Sequence, residues 1–325
     1  MKIALFLTAA TLMLLLGVQA APAQPRAYRV GVLLQGGPYY AAIEGLKDGL
    51  RDLGFQEGRN FVLEIRDGKG DPRAIEQAAR ELARAKVDLL YALAGSVATS
   101  AKRATAESNL PIVFIAGSDP VLLGLVQSIA RPGGSVTGVH FLLTDLTPKR
   151  LELLKEMLPK AKVILTIYNP ENRGAVEAIR LARIAARRLQ VQLMERHVSS
   201  PEDVRSLFQS LKPGEVDAYL FTSDAMVASQ APLIIEAAQG LRLATMFHET
   251  TLAEQGAIAA YGLSFREVGR LAAKYVHRIL LGNAPGDLPV ETISKLEFVI
   301  NLKTARQLGI AIPSGVLERA DRVIR

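Results

Sequence analysis

The side chains that could do covalent chemistry are few and poorly arranged for it. Ala94-Gly95-Ser96-Val97-Ala98 resembles a nucleophile elbow only loosely. It lacks the second glycine that lets such a turn approach its helix, so Ser96 reads better as a helix N-cap. The four histidines (His140, His197, His248 and His277) stand apart and form no H-E-x-x-H pair. His248-Glu249 comes nearest to a metal or base pair, but neighbours on a strand end point opposite ways. The chain has no cysteine, which removes disulfides, thiolate metal sites and cysteine nucleophiles together. No Gly-x-x-x-x-Gly-Lys-Ser/Thr loop occurs, and Gly36-Gly37 is not a G-x-G-x-x-G fingerprint. No cofactor and no metal are expected, and the expected activity is binding rather than catalysis.

The elements that must position the remaining polar residues alternate strand and helix from Tyr28 onward. Strands are expected over 28–34, 60–66, 87–93, 111–115 and 136–139. Between them, helices are expected over 41–53, from 71, from Ser96 toward Ser108, and over 121–130. Asp71-Pro72 supplies an N-cap and a first-turn proline, and Ile75, Ala79, Leu82 and Ala83 follow at helical spacing. The second half repeats the theme, with strands over 163–168, 191–197, 217–221 and 242–247. Its helices are expected from Thr147-Pro148, over 172–189, after Ser200-Pro201-Glu202-Asp203, and over 225–239. One more strand (257–261), a helix carrying Val268, Leu271, Ala272, Tyr275, Val276 and Ile279 on one face, a strand over 296–300 and two short helices finish the chain. This order argues two α/β lobes, each built on a parallel sheet.

Met1-Lys2, an apolar run from Ile3 to Val18 and the small-x-small pattern Val18-Gln19-Ala20 read as a secretory signal peptide over residues 1–20. The run is shorter than the ~20 residues of a membrane span. Without an N-terminal cysteine to lipidate, the mature protein is expected in soluble form, not membrane-anchored, in a periplasm. The 325-residue chain exceeds one ordinary domain even without its leader. The net charge of +7 is spread along helices, as at Arg180, Arg183, Arg187 and Arg188, with aromatics at only 6%. No nucleic-acid surface is expected from that pattern.

Short stretches spread over about Arg29 to Ile324 carry a resemblance to a known family. They include Gly45-Leu-Lys-Asp-Gly-Leu-Arg-Asp-Leu-Gly54, Glu57-Gly58-Arg59-Asn60, Pro111-Ile-Val-Phe114, Asp119-Pro120-Val121, Arg131-Pro-Gly-Gly134 with Val136-Thr-Gly138, and Phe298-Val-Ile-Asn-Leu-Lys-Thr-Ala305. In this order they resemble the tryptophan/tyrosine-type ABC transporter substrate-binding family, which has the type I periplasmic-binding fold. The chain departs from the family pattern at Val139-His140 and at Gly95-Ser96, where members often carry an aromatic or Ser and Thr-Pro. The resemblance implies two Rossmann-like lobes joined by a three-segment hinge, with the ligand held between them. The first lobe is expected over 28–141 plus 249–286, and the second over 142–248 plus 287–325. The implied role is the solute receptor of an ABC importer that binds an amino acid or aromatic acid, works as a monomer and docks on a membrane permease. A sensor subunit and a periplasmic enzyme are the alternatives.

Ligands of parallel α/β sheets bind beyond the carboxyl ends of the strands, where helix N-termini suit an anion. The candidate ligand-binding residues are therefore Gln35, Gly36 and Tyr39 after the first strand, Gly95 and Ser96 after the third, and Ser118 and Asp119 after the fourth. The second lobe offers Asn169, Thr222 and Asp224, with His248 at a crossover and Tyr261 near the cleft. Ser96 and nearby amides would hold an anionic group. Asp224 would accept bonds from an amine or hydroxyl, and Tyr39 or Tyr40 would supply a stacking wall. Structural readings stand beside these. Asp119-Pro120 and Asn169-Pro170 are turn signals, and Ser223 or Asp224 can cap the helix from Ala225.

Overall fold

The computed structural model describes residues 26–325, so the expected leader over residues 1–20 lies outside the described residues. The chain opens with β1 (Tyr28–Leu34), α1 (Tyr40–Asp52), β2 (Phe61–Asp67), α2 (Pro72–Arg84), β3 (Leu89–Leu93), α3 (Gly95–Ala104), β4 (Ile112–Ala116) and β5 (Val136–Phe141). It continues with α4 (Thr147–Met157), β6 (Val163–Tyr168), α5 (Arg173–Leu189), β7 (Gln192–His197), α6 (Pro201–Ser210), β8 (Ala218–Leu220), α7 (Ala225–Ser229), α8 (Ala231–Gly240) and β9 (Ala244–Glu249). Then come α9 (Thr251–Glu254), β10 (Ala259–Leu263), α10 (Phe265–Leu280), β11 (Glu291–Ile293), β12 (Glu297–Asn301), α11 (Leu302–Gln307), α12 (Ser314–Leu317) and β13 (Arg322–Ile324).

These strands form two sheets, ordered β2-β1-β3-β4-β5-β11 and β7-β6-β8-β9-β10-β12-β13. The first is parallel throughout, and in the second β10 and β12 run antiparallel. β3, β4 and β5 are buried along their whole length. Apolar runs of that kind suit parallel strands covered on both faces. Helix starts follow local chemistry. The Asp71 carboxylate accepts from Arg73 N ahead of α2, and Ser200 with Asp203 forms a capping box on α6.

α10 returns to the first lobe and packs along α1 at very short range. A Cβ added at Gly45 would lie 1.8 Å from the Arg266 carbonyl oxygen, and one at Gly269 would lie 2.0 Å from that of Ala42. Only glycine permits this approach. Ion pairs Arg266–Asp48 and Arg270–Asp52 flank it. One apolar cluster fills the first lobe and continues into one face of the second sheet, while a second cluster fills that sheet's other face.

Three expectations need correction. β10 pairs with β9 and β12 in the second sheet, and β11 pairs with β5 in the first. The chain therefore changes sheets between β5 and α4, between β10 and α10, and between β11 and β12. The expected boundaries had put 249–286 wholly in the first lobe and 287–325 wholly in the second. The βα unit is split, because its strand completes one sheet while its helix covers the other. Residues 121–130 form turns, not a helix. Leu125 N and Val126 N both donate to the Pro120 carbonyl, Gly124 has φ 68°, and Lys102 Nζ donates to the Gly124 and Leu125 carbonyls. The helix expected over 225–239 breaks at Gln230, since Pro232 lacks the N–H a continuous helix needs.

Across the cleft the lobes meet through glycine. A Cβ at Gly37 would lie 2.8 Å from Ser229 Cα, one at Gly70 2.7 Å from Pro201 Cγ, and one at Gly174 2.2 Å from Ser118 Oγ. Among the described residues, no helix is long and apolar enough to cross a membrane.

Candidate functional site

The carboxyl ends of both sheets face a common cleft, where the loops that leave them line a small cavity of about 20 Å³. From the first lobe come Tyr39, Ser96, Ser118, Leu123, Phe141 and Leu143, with backbone from Ala94, Gly95 and Gly117. The second lobe contributes Asn172, Ser223 and Ala225.

One wall is aromatic and fixed from behind. Tyr39 stacks on Phe265 at 4.9 Å between ring centres, and Phe141 lies 5.9 Å from the same ring. Phe265 is the first residue of α10, so the wall is anchored where the chain has just crossed between sheets.

The opposite side is polar and rests on helix starts. α3 begins at the cavity with Ala94 as its N-cap, at φ 133° and ψ 156°, with no side chain closing the turn. The first amides of a helix lack intrahelical partners and carry partial positive charge. A non-glycine residue at positive φ is strained, and such strain tends to sit at functional positions. The other two helix starts are closed. Asn172 Oδ1 accepts from Gly174 N and Ala175 N ahead of α5. Asp224 Oδ1 accepts from Met226 N at 3.0 Å and Val227 N at 3.2 Å ahead of α7. Its Oδ2 accepts from Asn169 N at 3.0 Å and from Asn172 Nδ2 at 3.2 Å. Burial raises the pKa of Asp224, and these four donors pull it back. Ser118 Oγ lies 2.9 Å from Thr144 Oγ1, which ties the loop after β4 to the first crossover.

Of the residues named from sequence, Tyr39, Gly95, Ser96 and Ser118 line the cavity. Gln35, Asn169 and Asp224 line an adjoining groove between the lobes, which Ser96 and Asn172 share. Gln35 is buried there, and its Oε1 has no partner. The structure does not bring the others to the cavity wall. Gly36 is a turn residue at φ 84° facing the Asp67 carboxylate. Asp119 is exposed and turns its Oδ1 to Val121 N and Leu122 N. Thr222 spends its hydroxyl on the Ile167 carbonyl. Tyr261 packs edge-on against Phe298 on the far face of the second sheet. Tyr40 is 45% exposed and donates to Asp67, so the wall is Tyr39 alone of the two.

His248 and Glu249 lie buried beside the crossovers. The His248 ring stacks 4.0 Å from Phe221 and meets Phe265 edge-on. Burial, and then the nearby Arg150 guanidinium, hold its pKa well below the usual value. Glu249 accepts from Thr251 and from Phe265 N, and burial pushes its pKa up to about 7. The fully buried Arg150 spans two crossovers, donating to the Leu143 carbonyl at 2.6 Å and reaching that of Tyr261 at 3.5 Å.

Sequence reasoning missed Asn172, Leu123, Phe141 and Leu143, and named Ser223 as a helix cap, not as a ligand contact. Asn172 carried a signal, as an N-cap residue type directly before a helical pattern. Phe141 and Leu143 carried none, because they lie where one lobe was expected simply to end.

A family model described as ABC transporter substrate-binding protein matches residues 29–324. A tyrosine-binding protein of Clostridioides difficile is 29% identical over 269 residues, covering 83% of this chain and 76% of that one. The crystal structure of a conserved domain protein from Vibrio cholerae aligns at TM-score 0.82 and 32% identity, over 92% of this chain and all of that one. An ABC domain of Streptococcus pneumonia in complex with L-Trp aligns at TM-score 0.81 and 25% identity over the same shares. Since that alignment spans both lobes, the lobe arrangement is shared with the L-Trp complex.

Proposed function

The chain belongs to the ABC transporter substrate-binding protein family, and from that premise we propose that it captures a small aromatic solute, an amino acid or aromatic acid, between its lobes and delivers it to the membrane permease of an ABC importer. The observation that carries this reading is the interlobe cavity, with an aromatic wall on one side and an open helix start on the other. The tyrosine-binding relative and the L-Trp complex support an aromatic cargo. The protein acts as a monomer in the periplasm, after loss of residues 1–20.

Binding would work through closure. Periplasmic binding proteins shut two lobes on a solute by hinge motion. The solute must favour the closed state by differential affinity, or no signal reaches the permease. Residues 21–325, unfolded and refolded to strip carried-over solute, provide the test by thermal shift against amino acids, aromatic acids, nucleosides and sugars. A ligand at 100 times its Kd adds about 2.7 kcal/mol of stability. A hit confined to aromatic amino or carboxylic acids is the expected result. Hits confined to sugars or nucleosides, or turnover of any hit, would overturn the reading.

A further inference from the structure

We infer that Arg150 opposes closure of the empty molecule: its guanidinium, buried between two crossovers with no carboxylate partner and with donors unmet, disfavours the shut state until a solute stabilises it. The inference rests on the reading of the chain as a receptor that shuts on its solute, and on no particular solute.

The lobes stand in the shut arrangement. The chain aligns at TM-score 0.81 with the L-Trp complex but at 0.59 with the ligand-free, open structure of a Clostridium difficile substrate binding protein, at 25% and 26% identity and over 92% of this chain in both. In this arrangement Arg150 is poorly served. Nη2 donates to the Leu143 carbonyl and, at 3.0 Å, to Thr147 Oγ1. Nη1 reaches the Tyr261 carbonyl only at 3.5 Å, and Nε, buried, has no partner among the described residues. A guanidinium carries five donors in a fixed fork. No carboxylate of the described residues pairs with it, and Glu249, the other buried charge at the crossovers, is spent on Thr251 and Phe265 N. Burial lowers the Arg150 pKa to about 9, so the charge persists at neutral pH. An unmet buried donor on a charged group carries its full desolvation penalty. An apolar side chain of similar volume in such a place is often neutral or stabilising.

The position of Arg150 assigns that penalty to the shut state. Thr147 shares α4 with Arg150 and moves with it. Leu143 lies on the first crossover, and Tyr261 lies on β10 just ahead of the second, so both carbonyls shift against α4 when the lobes turn. Leu143 also lines the cavity, and Arg150 adds to burial in holding the His248 pKa low, which places the charge under the cleft floor. Parting the lobes admits water to that floor, and water meets donors that the carbonyls leave unmet. The open state is then the resting one, and a solute shuts the molecule by its differential affinity.

Pulsed electron paramagnetic resonance on refolded, solute-free residues 21–325 tests this. The chain has no cysteine, so nitroxides at Arg84→Cys on α2 and Gln209→Cys on α6 report a single distance between the lobes. The starts of these two helices face each other across the cleft, where Gly70 meets Pro201. The parent is expected to populate mainly the long distance. Arg150→Met and Arg150→Gln, which remove the charge, should shift the empty molecule to the short distance, and Arg150→Lys, which keeps it, should not. By calorimetry with L-tryptophan and L-tyrosine, the two neutral variants should bind about threefold tighter or more, since apparent affinity scales with the competent fraction. An empty parent that is already shut overturns the inference. So do neutral variants that stay open, fail to fold or bind no tighter than the parent, and a lysine variant that shuts as methionine does. Distances that move as expected while neither amino acid binds would uphold the role of Arg150 and count against the aromatic-solute reading alone.

Discussion

Single side chains at the cleft divide into those free to meet a solute and those already spent on the fold. Ser96 belongs to the first kind, at an uncapped helix start. Ser96→Ala should weaken solute binding about tenfold to a hundredfold, since a hydrogen bond to a charged group contributes about 1.5–3 kcal/mol. The Tm of the solute-free protein should not move, and unchanged affinity by calorimetry would remove Ser96 from the site. Asp224 belongs to the second kind. Asp224→Ala strands four donors, three of them buried, and should cost about 2–4 kcal/mol in denaturant unfolding of the solute-free protein. Asp224→Asn, which keeps an acceptor at Oδ1, should recover part of it. Intact stability with lost affinity would instead return Asp224 to the solute. Strand-end position made Tyr39, Gly95, Ser96 and Ser118 legible in the sequence. It could not separate Asp224 the cap from Asp224 the ligand, because both roles want the same residue type at the same place. Nor could it find Phe141 and Leu143, whose position depends on how the lobes close.

Helices and strands were mostly legible, because burial on two faces and capping chemistry both leave local marks. The three failures share a cause. The turns over 121–130, the break at Gln230 and the sheet chosen by β10 are each decided by partners distant in the chain or by a proline's missing donor. Packing between α1 and α10 is equally non-local. Gly45→Ala should destabilise the protein by about 3 kcal/mol through forced separation of the two helices. Gly240→Ala, with nothing within 4 Å of its new Cβ, should cost nothing. Equal effects by chemical denaturation would deny the close approach. Glu249, beside α9 and the start of α10, gives this region a pH dependence. Its folded pKa is raised, from 4.5 to about 7. The folded state therefore holds a proton that the unfolded chain has released, and stability falls as pH rises from about 4.5 to 7, then stays level. The effect is at most about 3 kcal/mol. Glu249→Gln should flatten the melting profile across that window, and an unchanged slope would show that Glu249 is not its source.

At the scale of the whole molecule, one apolar cluster runs from the first lobe into the second sheet, and Gly37, Gly70 and Gly174 mark where the lobes approach each other across the cleft. Gly174 isolates that contact experimentally. It sits in the first turn of α5, where alanine is the better helix former, yet a Cβ there would lie 2.2 Å from Ser118 Oγ on the other lobe. Gly174→Ala should therefore leave solute-free stability equal or higher and weaken binding tenfold or more. Small-angle scattering should then show a larger radius of gyration for the variant than for the parent, both at saturating solute. A variant as compact as the parent would mean that Ser118 simply moves aside. Contacts of glycine with Ser229 Cα, Pro201 Cγ and Ser118 Oγ remove little apolar area from water, so the glycine seam itself adds little hold and serves instead to let the two cleft walls come close enough to share one solute.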